Sequence, residues 1–319
     1  MQGAEGIETD LATTRLPTFL VIGAMRAGTT TLYYELAQHP EVHMAPVKEP
    51  NYFAIANGTA DLPLTAEAIG TMMSASVTDL AGYRQLFRGS AAAKAIGEVS
   101  PSYLYSPSAA ARIAAALPEV QIVALLRDPV DRAYSAYVRR AGAVSDPQAF
   151  LEVVESEQRA LEQGKPLPLY PLVLGGLYAH HLTHYAKAFA PSRMLIRLYE
   201  DFWGAPVESF AYLHQFIGVS PRTPASEVRL NRSGVPRFPA LDRLIRSGSR
   251  VKGFAKRNLP PRVVRGLVNA KQKAEDWSMQ PPELLPAEIR ERLIDQYFES
   301  DIQKLESLLG RSLDAWRPR

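Results

Sequence analysis

The sequence contains no cysteine, which excludes disulfides, a thiol nucleophile and cysteine-ligated zinc or iron–sulfur centres, and leaves the redox compartment open. No apolar run reaches the roughly 18 residues that a membrane-spanning helix needs. The N-terminus carries Glu5, Glu8 and Asp10 where a secretory leader would be basic. From these two absences a soluble, cytoplasmic protein is expected. Internal repeats and low-complexity tracts are also missing. With 46% hydrophobic against 22% charged residues in a chain of 319, a wholly disordered protein is excluded. Charge is unevenly spread: residues 222–275 hold 14 Lys/Arg against 3 Asp/Glu, a local +11 in a chain of net +3. Such a segment attracts a phosphate-bearing ligand, an acidic acceptor, nucleic acid or a lipid surface, unless it is only a solvated basic face.

What is present reads as alternating strands and helices. Residues 1–16 are polar and aperiodic, a flexible N-terminus before a single domain over 17–319. Thr18-Phe-Leu-Val-Ile22, closed by Gly23, is a buried strand. A helix is predicted from Thr29 to His39, stopped by Pro40. Further strands are predicted at Gln121–Leu126 and Met194–Tyr199. Further helices are predicted at Pro129–Arg140, Ser108–Leu117, Pro147–Gln163, Gly176–Phe189 and Pro206–Ile217. From Pro286 to Leu309 one apolar stripe runs through Ile289, Leu293, Ile294, Phe298, Ile302, Leu305 and Leu308. This alternation predicts an α/β fold of three layers, a central parallel sheet flanked by helices.

The first strand-to-helix turn, Gly23-Ala-Met-Arg26-Ala27-Gly28-Thr29-Thr30-Thr31, has the setting in which backbone N–H groups and a helix dipole cradle a phosphate. Its Gly-x4-Gly spacing is that of a nucleotide-binding loop, yet Thr29 stands where a kinase or ATPase places its phosphate-binding lysine. A transfer other than phosphoryl transfer is implied, with Arg26 supplying the charge. Arg127 follows the second strand at the sheet edge where ligands of open parallel sheets bind. Ser135 lies two turns into the next helix; one brings a forked cation, the other a hydroxyl. Glu49, in the loop Lys48-Glu-Pro-Asn51, is a carboxylate able to act as a general base, although adjacent Lys48 and Glu49 would point opposite ways in an extended segment. His180 and His184 have metal-ligand spacing but lack the glutamate of a zinc-protease pattern, and no metal is expected.

Gly23 to Leu32 resembles the 5′-phosphosulfate loop of sulfotransferases that use 3′-phosphoadenosine 5′-phosphosulfate (PAPS), a P-loop-like fold; members usually carry lysine where Arg26 stands. The resemblance extends to Trp316 and is nearest to the carbohydrate or heparan-type branch. It implies that PAPS is the donor, bound through Arg26, Ala27, Gly28, Thr29, Thr30 and Thr31 at one end and Arg127 and Ser135 at the 3′-phosphate. By the same resemblance Tyr178 approaches adenine, and Asn231, Arg232, Ser233 and Gly234 form a loop over the 3′-phosphate. Glu49 aligns with the catalytic base, Arg26 and Lys48 with its electrostatic helpers, and Glu98, Ser100 and Tyr103 with the acceptor side. Val99 replaces the lysine with which heparan-type enzymes engage their acceptor. The implied activity is transfer of a sulfuryl group to a hydroxyl of a carbohydrate, lipid or natural product, without nucleic acid, and with peripheral membrane contact through residues 222–275 left open. A P-loop kinase with a degenerate loop, and a non-catalytic anion-binding module, remain as alternatives.

Overall fold

A computed structural model describes residues 15–55, 60–141, 146–225, 235–236, 279–280 and 283–317. Nearly all of the basic segment 222–275, including Asn231, Arg232, Ser233 and Gly234, and residues 1–14 lie outside the described residues. Arg15 is already anchored, donating from Nη1 to the Ala93 carbonyl at 2.7 Å.

Five strands form one sheet: β1 (Phe19–Gly23), β2 (Val42–Met44), β3 (Ala95–Val99), β4 (Gln121–Leu126) and β5 (Met194–Leu198). Their order is β2-β3-β1-β4-β5, and every neighbouring pair is parallel. All residues of β1 and β3 are buried, as expected of a parallel sheet covered on both faces. Two strands escape the sequence pattern for physical reasons. β2 is three residues long, too short for a hydrophobic run to stand out. β3 carries Gly97 and Glu98 inside the sheet, which break its apolar signature. Gly97 pairs with Phe19 of β1, and a Cβ at Gly97 would lie 2.1 Å from the Phe19 ring, so the strand gives up a side chain to seat that ring.

The helices are α1 (Thr29–Leu36), α2 (Ala66–Met73), α3 (Leu80–Gln85), α4 (Ser102–Tyr105), α5 (Ala109–Ala116), α6 (Pro129–Ala141), α7 (Pro147–Glu162), α8 (Tyr178–Ala188), α9 (Tyr199–Gly204), α10 (Pro206–Phe216), α11 (Ala287–Leu293) and α12 (Glu299–Leu309). α1 packs on β2 and β3, α4 on β1, and α8 on both α5 and α12. Tyr199, predicted as the end of a strand, instead opens α9. The C-terminal stripe is interrupted by a π-turn over Ile294–Phe298. Leu293, Ile294, Phe298, Ile302 and Leu305 are buried as predicted. The wide turn shifts the stripe, however, so that Leu308 faces outward at 42% exposure while Leu309 packs on the core.

Two glycines test this packing in opposite directions. Gly97→Ala is expected to lower stability by about 3 kcal/mol, since the Phe19 ring has to leave its seat in a close-packed sheet. Gly70, inside α2 with nothing within 4 Å of a Cβ, is expected to gain about 0.5–1 kcal/mol on mutation to Ala. Urea unfolding midpoints of the two variants check both signs.

Candidate active site

Because every strand runs the same way, their C-terminal ends lie on one edge and the segments that follow them converge there. After β1 the chain turns through Arg26 (φ 69°) and Gly28 (φ 78°), both left-handed. Ala24 N–H donates to the Leu125 carbonyl at 2.6 Å, pinning the turn to β4. α1 begins at Thr29 with no side-chain cap at Gly28, so its first-turn N–H groups are available to an anion. Gly28 abuts Trp203 of α9: a Cβ there would lie 2.6 Å from the indole Nε1, which is buried and has no partner among the described residues.

Arg127, next after β4, donates to the Arg26 carbonyl at 3.3 Å and lies 5.0 Å over the Tyr199 ring. Among the described residues it makes no ion pair, although Asp128 and Asp131 are close in sequence. Both acids are claimed by Arg290 of α11, at 2.7 Å for Asp128. Asp128 also accepts the N–H groups of Val130 and Asp131 at 2.9 Å, capping α6. Ser135 is buried and accepts from Arg26 Nε at 3.0 Å. The residues expected at opposite ends of a donor are therefore bonded to each other. Burial and the neighbouring guanidinium of Arg139, with Arg127 and Arg132 adding, hold Arg26 down to about 10, while Tyr170 opposes them. Arg139 was missed in the sequence, though its spacing four residues past Ser135 on one helix face was a usable signal.

Lys48 and Glu49 form an ion pair rather than pointing apart. The physical reason is that Glu49 is not extended: its φ is 63°, and its N–H is tied to the Val99 carbonyl at 2.9 Å. A cleft of about 210 Å³ is lined by Lys48, Glu49 and Asn51, by Met25 beside the phosphate loop, by Thr71, Met72 and Ala75 from α2 and its end, by Pro101, Ser102 and Tyr105, and by Leu169 and Tyr170. Lys48, Glu49 and the phosphate loop thus meet at one opening.

Four residues expected on ligands lie elsewhere. Glu98, Ser100 and Tyr103 are fully buried beneath the cleft: Ser100 Oγ donates to Glu98 Oε2 at 2.7 Å, and Tyr103 and Tyr83 donate to Oε1 at 2.6 and 3.1 Å. Burial pushes the Glu98 carboxyl up to about 7, against those three donors. Tyr178 is buried too, and its hydroxyl donates to the Arg127 carbonyl at 2.8 Å; it braces the anchor from behind instead of offering a face to adenine. His181 is likewise engaged, its Nε2 lying 2.7 Å from the Leu174 carbonyl.

Residues 17–224 match the model of the sulfotransferase family. The chain belongs to that family. It is 30% identical over 220 residues to the human (Homo sapiens) bifunctional heparan sulfate N-deacetylase/N-sulfotransferase 3, covering 67% of this chain and 23% of that protein. It is 27% identical over 292 residues to carbohydrate sulfotransferase 15 of Mus musculus, covering 72% and 51%. The chain thus spans about a quarter to a half of the length of these curated relatives. Among solved structures it is similar to a sulfotransferase from Alicyclobacillus acidocaldarius, with a TM-score of 0.68, 27% identity, and coverage of 95% of this chain and 100% of that one. The α/β fold with a parallel sheet flanked by helices is common to both.

In this family member the Arg290 pair makes a pH-dependent prediction. Burial and Asp131 raise the Asp128 carboxyl to about 6, and Arg290 opposes them. Arg290→Ala should destabilise the fold by roughly 3 kcal/mol, the scale of breaking a buried pair. It should also raise the folded-state pKa of Asp128 further. A group raised on folding loses its contribution as pH rises through the folded value, so the stability gap to wild type should widen from pH 5 to pH 8. Urea titrations at the two pH values decide the matter, and parallel stabilities would rule it out.

Proposed function

We propose that the protein transfers the sulfuryl group of PAPS to the hydroxyl of a small acceptor seated in the cleft. The observation that carries this is the Arg26–Ser135 hydrogen bond, together with an Arg127 whose neighbouring acids are withheld from it by Arg290. Arginines gathered at one sheet edge raise the local positive potential and favour a multiply charged anion. The uncapped start of α1, and the unpartnered Trp203 N–H beside a glycine that keeps the backbone open, also fit a phosphate-bearing ligand. Backbone N–H groups from Arg26 to Thr31 and the Arg26 side chain would hold the 5′-phosphosulfate; Arg127 and Ser135 would hold the 3′-phosphate.

When bound, the donor supplies a sulfuryl group whose S–O bond to the 5′-phosphate breaks as a new S–O bond to the acceptor oxygen forms. Glu49 takes the acceptor proton. Lys48, paired with Glu49 at the cleft, orients that carboxylate and offers positive charge to the transferring oxygens. No covalent intermediate on the protein is required. Thr29 at the position of the kinase lysine leaves the phosphoryl-transfer alternative without its bridging charge. Of the acceptor classes, the walls favour a hydroxyl on an apolar body. Met25, Met72, Leu169 and the rings of Tyr105 and Tyr170 supply an apolar wall, and Asn51 and Ser102 are already bonded to each other at 2.6 Å. A sugar ring would have to find partners for its further hydroxyls among Lys48, Glu49, Thr71 and the tyrosine hydroxyls, and each one left unpaired would cost about 1–3 kcal/mol.

Adenosine 3′,5′-bisphosphate is expected to bind at least about tenfold more tightly than ATP, the scale of one charge-assisted contact. Arg127→Ala should erase that preference. Glu49→Gln should cut transfer from PAPS by at least about a hundredfold while leaving bisphosphate affinity unchanged. Calorimetry and a labelled-sulfate assay over phenolic, lipid and saccharide acceptors measure all three. Equal affinity for the two nucleotides would refute the donor assignment.

A further inference from the structure

The loop that presents Glu49 is held in a conformation that its own residues disfavour. Glu49 and Asn51 both have left-handed backbones, with φ of 63° and 52°. Asparagine tolerates that region, whereas glutamate there costs about 1–2 kcal/mol, so the surroundings have to impose it. Asn51 Nδ2 donates to the Glu49 carbonyl and to Ser76 Oγ, both at 2.9 Å, and Asn51 Oδ1 accepts from Ser102. Two further bonds come from below. Asn51 N–H donates to Ser100 Oγ at 3.0 Å, and Phe53 N–H donates to the Tyr103 hydroxyl at 3.4 Å.

A hydroxyl has one proton and can accept with its remaining lone pairs. Ser100 and Tyr103 each spend that proton on Glu98, which turns their lone pairs toward the two loop N–H groups. An acceptor-only carboxylate therefore sets the polarity of both bonds. We propose that Glu98, lying out of reach of the cleft, is a positioning residue for the transfer: through Ser100 and Tyr103 it fixes the loop that carries Glu49. This inference rests on the assignment of Glu49 as the base, and its test separates the two.

The ionisation of Glu98 then matters. The titratable groups facing it are Tyr83 from α3, Tyr103 from α4, Tyr185 from α8 and Glu49 on the loop. Burial and the Glu98 charge push the Tyr83 and Tyr103 hydroxyls well above 10, so both remain donors through neutral pH. Burial pushes Glu98 itself up to about 7. Once protonated it would donate from one oxygen, and Ser100 or Tyr103 would have to turn. Activity is therefore expected to rise as pH rises through about 7. The stability contributed by this group falls over the same range, because its folded-state pKa is raised.

Glu98→Gln is the decisive variant, being of the same shape but placing a donor where one carboxylate oxygen accepts. Expected are a fall in kcat of at least about tenfold, an unchanged affinity for adenosine 3′,5′-bisphosphate, and loss of the limb near pH 7. Amide exchange at Asn51 or Phe53 should quicken by at least about tenfold, while Leu32, bonded to the Gly28 carbonyl at the start of α1, keeps its protection. Ser100→Ala and Tyr103→Phe should each expose only the amide bonded to that hydroxyl, and they carry the test if Glu98→Gln fails to fold. Unchanged exchange at both amides would overturn the proposal, as would kcat and bisphosphate affinity falling together. Should Glu49→Gln stay active while the exchange pattern holds, the base assignment falls and the loop-positioning role stands.

Discussion

Positive charge gathered at one sheet edge is the constraint around which the candidate site is organised. Arg26, Arg127, Arg132 and Arg139 all bear on one another through Arg26, whose guanidinium is buried enough to be held down to about 10. Such a cluster opposes folding unless something offsets it. The nearest acids in sequence, Asp128 and Asp131, are drawn away by Arg290 from the C-terminal helix α11. That helix is thus more than packing: it keeps Arg127 from forming the internal ion pair that would blunt it. The remaining stabilisation is left to backbone carbonyls, to Ser135, to the Tyr199 ring and, as we propose, to the donor's own phosphates.

A second tension lies beneath the acceptor cleft. Glu98 sits inside a fully buried strand and gathers three hydroxyl donors, a network that holds a non-glycine residue in the left-handed region above it. Strain of this kind persists only where surrounding bonds over-determine it. The bonds come from Ser100, just after β3, and Tyr103 of α4, while β3 itself is seated on β1 by the close approach of Phe19 to Gly97. On the proposed role of Glu98, the rise in pH that favours loop orientation is also the one that removes its contribution to stability.

The sequence discloses different parts of this arrangement unequally. β1, β4 and β5 are legible because each is dominated by consecutive aliphatic residues, with Gln121 only at the start of β4 and a lone Arg197 in β5. β2 and β3 are not, the one too short and the other interrupted by Gly97 and Glu98, whose presence answers to a ring and to hydroxyls contributed from other parts of the chain. The eight-residue step from Arg127 to Ser135 is legible because it runs from the end of a clear strand directly into a helix opened by Pro129, whose geometry follows from spacing. Glu98, Ser100, Tyr103 and Tyr178 show the limit of motif reasoning. A motif fixes a neighbourhood, but whether a side chain faces the ligand or the protein behind it depends on burial and partners far away in sequence. Asn51 and Arg290 escaped notice for the same reason, since their partners lie up to 162 residues off.

Donor and acceptor halves are also built under different constraints. As we propose it, the donor half draws on residues that follow β1 and β4, where sheet register fixes the backbone. Much of the acceptor wall comes instead from α2 and from the segment around Leu169 and Tyr170. These are joined to one another through Thr65 N–H to the Leu167 carbonyl and Leu167 N–H to the Pro63 carbonyl, each at 2.8 Å. That clamp ties the two wall pieces together without adding a strand to the sheet, so their side chains can change without disturbing the phosphate sites. Relatives whose names specify heparan sulfate or carbohydrate therefore constrain the donor chemistry of this chain more than its acceptor. Here methionine, leucine and tyrosine share the wall with Lys48, Glu49, Asn51, Thr71 and Ser102, and Val99, at the position of the heparan-type lysine, is buried in β3 with no reach into the cleft. On the proposed reading, an acceptor held by apolar contact around one reacting hydroxyl suits that lining, because each further hydroxyl left unpaired would be desolvated with nothing to replace its water.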